Sequence, residues 1–290
     1  MRYRVVHHTR YDYSQPVALA HSEARLQPRA TPTQTCLQST VDIDPLPAER
    51  AMRTDAFGNP VLYFALQAPH DALIVTATSE VDVAPPPTGG PPRSAAWEEA
   101  RRVLRTSADP DVRLARQFAV DSAGAPALAE AREFAQPCFT SGRPLLEAVA
   151  DLSGRIYREF TFEPQSTTIA TPLSEVLAQR HGVCQDFAHL ALSCLRAFGL
   201  PGRYISGYLE TVPLPGQPRL QGADVSHAWF AVYVPEVGWV DFDPTNDLQP
   251  SGRHVTIAWG RDYGDVTPLK GIIFGGGPHT LEVSVDMARL

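Results

Sequence analysis

The sequence has no apolar run approaching the roughly 18 residues that cross a bilayer. Its start, Met1-Arg2-Tyr3-Arg4-Val5-Val6-His7-His8, lacks the apolar stretch of a secretory leader. A cytoplasmic location without membrane contact is therefore expected. Cysteine is scarce: Cys36, Cys138, Cys184 and Cys194 are too few and too scattered for a disulfide framework. No Cys-x-x-Cys pair occurs, which argues against a structural zinc site. Basic charge is also short. The net charge is −7 and no basic stripe is visible, so a nucleic-acid partner is not expected. Internal repeats are missing too.

What is present is an ordinary globular composition, 43% apolar and 20% charged, in 290 residues that suffice for one large domain or two smaller ones. Residues 1–84 read as mostly strand. The clearest case is 73–83, where Leu73, Val75, Ala77, Val81 and Val83 alternate with Thr76, Thr78, Glu80 and Asp82. Weaker strands are expected at 36–43 and 61–66, with a turn at Phe57-Gly58-Asn59-Pro60. Residues 85–94 hold five prolines and two glycines, which marks a linker. The expected division is a β-sandwich-like domain at 1–84, this linker, and a second domain at 95–290 with its core at about 145–247.

Beyond the linker the pattern turns helical, with helices expected at 95–105, 125–134, 144–160, 172–180 and 184–198. Pro144 and Pro172 suit a first helical turn. The last helix carries Phe187, Leu190, Ala191, Cys194, Leu195 and Phe198 on one stripe and ends at Gly199 and Pro201. Strands are expected again at 203–210, 227–234 and 239–242, the last two joined by a hairpin loop at 235–238, and at 281–285.

Cys184 opens the best helix. The first N–H groups of a helix lack internal partners and its dipole is positive there, so both stabilise negative charge on the sulfur. The same amides could hold an oxyanion. Cys194 lies on the apolar stripe and reads as an inert core thiol. His227 opens a strand, and the hairpin after it should bring the 241–247 segment alongside. A carboxylate there would fix the imidazole tautomer. Spacing alone leaves Asp241, Asp243 and Asp247 open. Nucleophile, base and orienter together make a complete triad.

The strings Gly182-Val183-Cys184-Gln185-Asp186-Phe187-Ala188, Gly199-Leu200-Pro201-Gly202-Arg203-Tyr204, Ser226-His227-Ala228-Trp229 and Gly238-Trp239-Val240-Asp241-Phe242-Asp243-Pro244-Thr245 resemble the core of the bacterial transglutaminase-like superfamily. His7-His8-Thr9-Arg10-Tyr11-Asp12-Tyr13 and Ala24-Arg25-Leu26-Gln27-Pro28-Arg29 are similar to the β domain that precedes this core in many bacterial members. Residues 260–268 are similar to the segment that follows it. The resemblance implies an α+β, papain-like core behind an N-terminal antiparallel β domain. It selects Asp243 as third member and implies that Trp229 packs beside the site, with Gln185 as a supporting residue. Animal transglutaminases usually carry tryptophan where Gln185 stands, and no calcium loop is recognisable, so cross-linking is not implied.

The expected function is a thiol hydrolase acting on an amide, peptide or isopeptide bond of a peptide or protein, without metal or cofactor. Acyl transfer to an amine, as in a protein-glutamine transglutaminase, is the alternative, and a non-catalytic binding module is another. A metal site built from His181, Cys184, His189 and Cys194 is not expected, because one helix scatters them around its axis. Residues 272–277 read as a flexible loop without the lysine of a phosphate loop.

Overall fold

The computed structural model describes residues 1–84, 93–211, 225–235 and 237–290. Most of the proposed linker, and Glu236 in the hairpin loop, lie outside that set. The first five strands are β1 (Arg2–Ala24), β2 (Gln34–Asp44), β3 (Glu49–Thr54), β4 (Pro60–Leu66) and β5 (His70–Val83). Helices α1 (Trp97–Thr106), α2 (Pro110–Ala115), α3 (Ala129–Ala135) and α4 (Leu145–Glu159) follow, then β6 (Thr161–Phe162), α5 (Leu173–Gln179) and β7 (His181–Gly182). Helix α6 (Cys184–Ala197) leads into β8 (Gly202–Leu209), β9 (Val225–Val234), β10 (Gly238–Phe242) and β11 (His254–Gly260). The chain closes with α7 (Tyr263–Val266), β12 (Leu269–Gly275) and β13 (His279–Arg289). This is the expected α+β arrangement.

Strand β1 organises the N-terminal sheet. Its first half pairs with β5 on one side and β13 on the other, and its second half pairs with β4 and β12. The register breaks between Asp12 and Val17, around Pro16, which cannot donate a ladder hydrogen bond. The strand thereby serves two groups of strands, whose inner faces share one core of Val17, Ala20, Leu62, Phe64, Leu66, Leu73, Val75 and Ala77.

The alternation along β5 is complete: every second residue from Leu73 to Val83 is buried. Two different layers cover it. Leu73, Val75 and Ala77 pack within the sheet's own core, while Val81 and Val83 join Tyr3 and Val5 against the helices.

Two differences from expectation concern the C-terminal part. Residues 272–275 form the end of β12 rather than a loop; only Gly275, Gly276 and Gly277, all at positive φ, make the turn into β13. Apolar Ile272, Ile273 and Phe274 are extended because β1 offers them a pairing edge. The expected tail strand is longer than read, and with β12 it completes the N-terminal sheet.

The second layer is a four-stranded antiparallel sheet, β10-β9-β8-β11, packed against α6. Helix α6 is buried nearly all round, not along one stripe, because helices α3, α4 and α5 cover its other side. Even Arg196 is buried, donating to Ser122 Oγ at 2.8 Å and to the carbonyls of Phe118, Ala125 and Arg261. Two amide side chains dock the N-terminal sheet onto the free edge of β11. Gln34 accepts from Thr256 N–H at 2.8 Å and donates to its carbonyl at 2.7 Å. Asn59 does the same to Trp259, at 3.0 and 2.8 Å. Each amide stands in for a strand neighbour and blunts the edge.

Candidate active site

The cysteine at 184 is the first residue of α6, as expected, and its approach is held by Asp186. The Asp186 carboxylate accepts Val183 N–H at 2.9 Å and Thr167 Oγ at 2.6 Å. It sits on Gly182: a Cβ there would lie 2.8 Å from Asp186 Oδ2. The Gly-x-Cys-x-Asp spacing is therefore a folded unit, with glycine where the carboxylate leaves no room. The amides of the first helical turn have no intrahelical carbonyl to reach.

His227 lies on β9, and the hairpin to β10 sets Asp243 beside it. The imidazole Nε2–H donates to Asp243 Oδ2 at 2.8 Å. That leaves Nδ1 as the ring nitrogen for the Cys184 thiol, which interacts with the imidazole. Burial alone would lower the His227 pKa, but the Asp243 hydrogen bond and the Cys184 sulfur outweigh it and raise it to about 10.

Asp243 has no exposed surface. Burial would raise its pKa, yet the hydrogen bonds from His227, His254 and Asn246 and the His227 charge reverse the direction and hold it well below the usual carboxylate range. Oδ1 accepts the amides of Thr245 and Asn246 at 3.0 and 3.3 Å. Oδ2 accepts His227, Asn246 Nδ2 at 2.8 Å and His254 Nε2 at 3.2 Å. His254 Nδ1 in turn accepts the Ser251 amide at 3.3 Å, which fixes the tautomer that donates to Asp243.

The other two aspartates are engaged elsewhere. Asp241 accepts the Trp229 indole N–H at 3.0 Å and faces Arg203 at 3.7 Å. Asp247 lies in a left-handed turn beside Gly154 on α4. Trp229 is fully buried next to the site, edge-on to His254 with ring centroids 5.3 Å apart. Gln185 lines the cleft beside Cys184.

Asn246 and His254 escaped sequence reading. Asn246 follows Asp243 by three residues, the spacing of a turn that folds back on its own carboxylate. His254 had no local signal, because only the pairing of β11 with β8 brings it to Asp243. His227, Asp243 and His254 offer ligand atoms within 4.8 Å of one another, close enough for a cation. In the structure those atoms are joined by N–H···O bonds, so a metal there would have to displace both ring protons.

The alternative metal set dissolves. His181 faces Glu163 at 3.7 Å. His189 is buried against Tyr204, accepts the Tyr263 amide at 3.1 Å, and is lowered by burial to about 4. Cys194 points at the Ala131 carbonyl in the core.

The cleft above Cys184 has a volume of about 480 Å³. One wall is α6 with β8 and β9, through Gln185, Tyr204, Ser206 and His227; the other is the N-terminal sheet, through Thr9, Tyr11, Leu281 and Val283. The β domain is thus part of the site itself. Among the described residues, no helix is long and apolar enough to cross a membrane.

Comparison with known proteins agrees with this arrangement. Residues 3–82 match the bacterial transglutaminase-like N-terminal region and residues 132–244 the transglutaminase-like superfamily. An uncharacterized protein of Mycobacterium bovis is 44% identical over 99% of this chain and 92% of its own length, and one of Mycobacterium leprae is 34% identical over 100% and 99%. A solved protein from Cytophaga hutchinsonii, titled as a candidate cysteine protease, shares the fold at a TM-score of 0.73, with 21% identity over 99% of this chain and 90% of that one. Fold, paired domains and relatives agree, and the chain belongs to the bacterial transglutaminase-like superfamily.

Proposed function

We propose that the protein is a thiol enzyme that breaks an amide, peptide or isopeptide bond through an acyl-enzyme on Cys184. The observation that carries this reading is His227, held between the Asp243 carboxylate and the Cys184 thiol. In the proposed cycle His227 takes the thiol proton and the Cys184 sulfur attacks the substrate carbonyl. The oxyanion that forms is stabilised by the first-turn amides of α6. His227 gives its proton to the leaving nitrogen as the C–N bond breaks, leaving a thioester. It then deprotonates a water, whose oxygen attacks the thioester and restores the thiol. Asp243 keeps the imidazole oriented and offsets its charge throughout.

Hydrolysis is favoured over transfer to an amine by the cleft walls. Among the described lining residues there is no Asp or Glu to hold an ammonium acceptor. Transfer to an amine remains the second reading, because a Pseudomonas aeruginosa relative named protein-glutamine gamma-glutamyltransferase is 27% identical over 47% of this chain and 24% of its own length. The four free cysteines suit a reducing compartment, so we place the protein in the cytoplasm.

The test is a screen for ammonia or amine release from peptides and glutamine-bearing proteins, run with and without a primary amine. Release that disappears in Cys184→Ala supports the enzyme, and amine incorporation selects transfer. Binding without turnover, unchanged by Cys184→Ala, would instead favour the binding module.

A further inference from the structure

The ribbon formed by β1 and β13 carries one continuous face past the site. Its cross-strand pairs on that face are Val5 with Met287, His7 with Val285, Thr9 with Val283, and Tyr11 with Leu281. Under the helices this face is closed: Met287 is 0% and Val285 2% exposed. Further along β13 it opens, with Val283 47% and Leu281 54% exposed, while Thr9 opposite Val283 stays buried. Val285, Val283 and Leu281 all line the cleft that holds Cys184. A single exposed aliphatic residue is ordinary, but a contiguous apolar row along a groove marks a binding site. Here the uncovered ones run straight out of the cleft rather than onto a separate surface.

The cleft's chemistry narrows the occupant. Among the described lining residues none is Asp, Glu, Lys or Arg. His7, at the floor, is bonded to Thr9 and Tyr208 at 3.0 and 2.8 Å, and burial and the neighbouring His8 lower it to about 4, so it is neutral near pH 7. The charge at this end is that of His227, which is raised to about 10 and already paired with Asp243 and Cys184, so among the described lining residues an ionic side chain would lose water and meet no free counter-charge.

We infer that Leu281 and Val283, with Tyr11 and Leu269, form an apolar subsite contributed by the N-terminal sheet, which accepts an uncharged aliphatic or aromatic side chain of the acyl-donor peptide close to its scissile carbonyl. This deepens the proposed function and rests on Cys184 being the nucleophile. It gives the β domain a task in substrate choice.

Alkylation reads the subsite without turnover. The probes are iodoacetamide, iodoacetate and N-benzyl-iodoacetamide, each rate at Cys184 being divided by its rate with glutathione. The benzyl reagent should label Cys184 on the order of tenfold faster than iodoacetamide, and iodoacetate more slowly. In Leu281→Ser and Val283→Ser the benzyl preference should fall severalfold while the iodoacetamide rate holds. Both residues are half-exposed, so the variants should fold, and an unchanged Tm checks it. Equal corrected rates for the two amides, or a benzyl preference untouched by both substitutions, overturn the subsite alone. Failure of iodoacetamide to label Cys184 overturns the thiol reading and the subsite with it.

Discussion

The Asp241 carboxylate accepts the indole N–H of Trp229 at 3.0 Å, which commits it to the wall of the site and away from His227. Its near neighbour Asp243, two residues on, takes the imidazole at 2.8 Å. Asp243→Asn should therefore lower kcat by on the order of a hundredfold or more. Asp241→Asn and Asp247→Asn should cost far less. Steady-state kinetics of the three variants decides it, and an Asp241→Asn enzyme more damaged than Asp243→Asn would reverse the assignment.

The same pair fixes a pH dependence. His227 is raised from 6.5 to about 10, so its contribution to stability is fully present below pH 6.5 and is lost as the pH rises through about 10. Asp243 is held low, so its contribution is present above the ordinary carboxylate range and is lost on acidification. The Tm difference between the wild type and Asp243→Asn should accordingly narrow between pH 6.5 and 10. Without the carboxylate, burial dominates and the His227 titration should move down; ring NMR would show it, and a His227 still titrating near 10 would refute the coupling.

Asn246 and His254 are not among the residues lining the cleft, and both donate to Asp243, so we expect them to act by positioning it. Losing one charge-assisted donor is worth about 1.5–3 kcal/mol, so Asn246→Ala and His254→Phe should each reduce kcat by roughly tenfold to a hundredfold, with KM little changed. A positioning role also moves the alkaline limb of the pH profile, because the carboxylate that sets the His227 pKa is then held by fewer donors. A loss of activity with an unmoved limb would point to simple loss of folding.

Cys184 should be the first thiol alkylated. Burial raises Cys36, pushes Cys138 up to about 11 and raises Cys194 further still, so all three stay protonated near neutral pH. Mass spectrometry after limiting iodoacetamide at pH 6 tests this, and preferential labelling of Cys36 would count against it.

Activity should survive EDTA. In the proposed mechanism Cys184, His227 and Asp243 supply nucleophile, base and orienter, and the cation position among His227, Asp243 and His254 is filled by their hydrogen bonds. Reactivation by an added divalent ion after chelation would contradict this.

Local pattern carried much of what the sequence revealed. The alternation at Leu73–Val83 and the helix opened by Cys184 are visible because side-chain period reports burial directly. The boundaries of α4 and α5 came out within a residue, with Pro144 and Pro172 at the N-cap rather than inside the first turn. Helix α2 went unread, since six residues give no period, although Asp109 before Pro110 is an N-cap signal. Strands β11 and β12 went unread for a different reason. Their pairing partners, β8 and β1, are far away in sequence, and no local rule reports an edge supplied by another part of the chain. His254 and the apolar wall of the cleft were hidden by the same cause.

The pairing of Tyr3 with Arg289 has a consequence for how the chain acquires its shape. Strand β1 is made long before β13, and the edge that β13 covers stays bare until then. Through that interval the N-terminal strands expose an unpaired ladder, a template for association with other chains. The sheet's closure must then bridge nearly the whole sequence, a contact order that makes folding slow and late. Cleft assembly is thereby deferred to β13: a polypeptide halted before residue 279 would hold Cys184, His227 and Asp243 but lack Leu281, Val283 and Val285 in the wall that faces them.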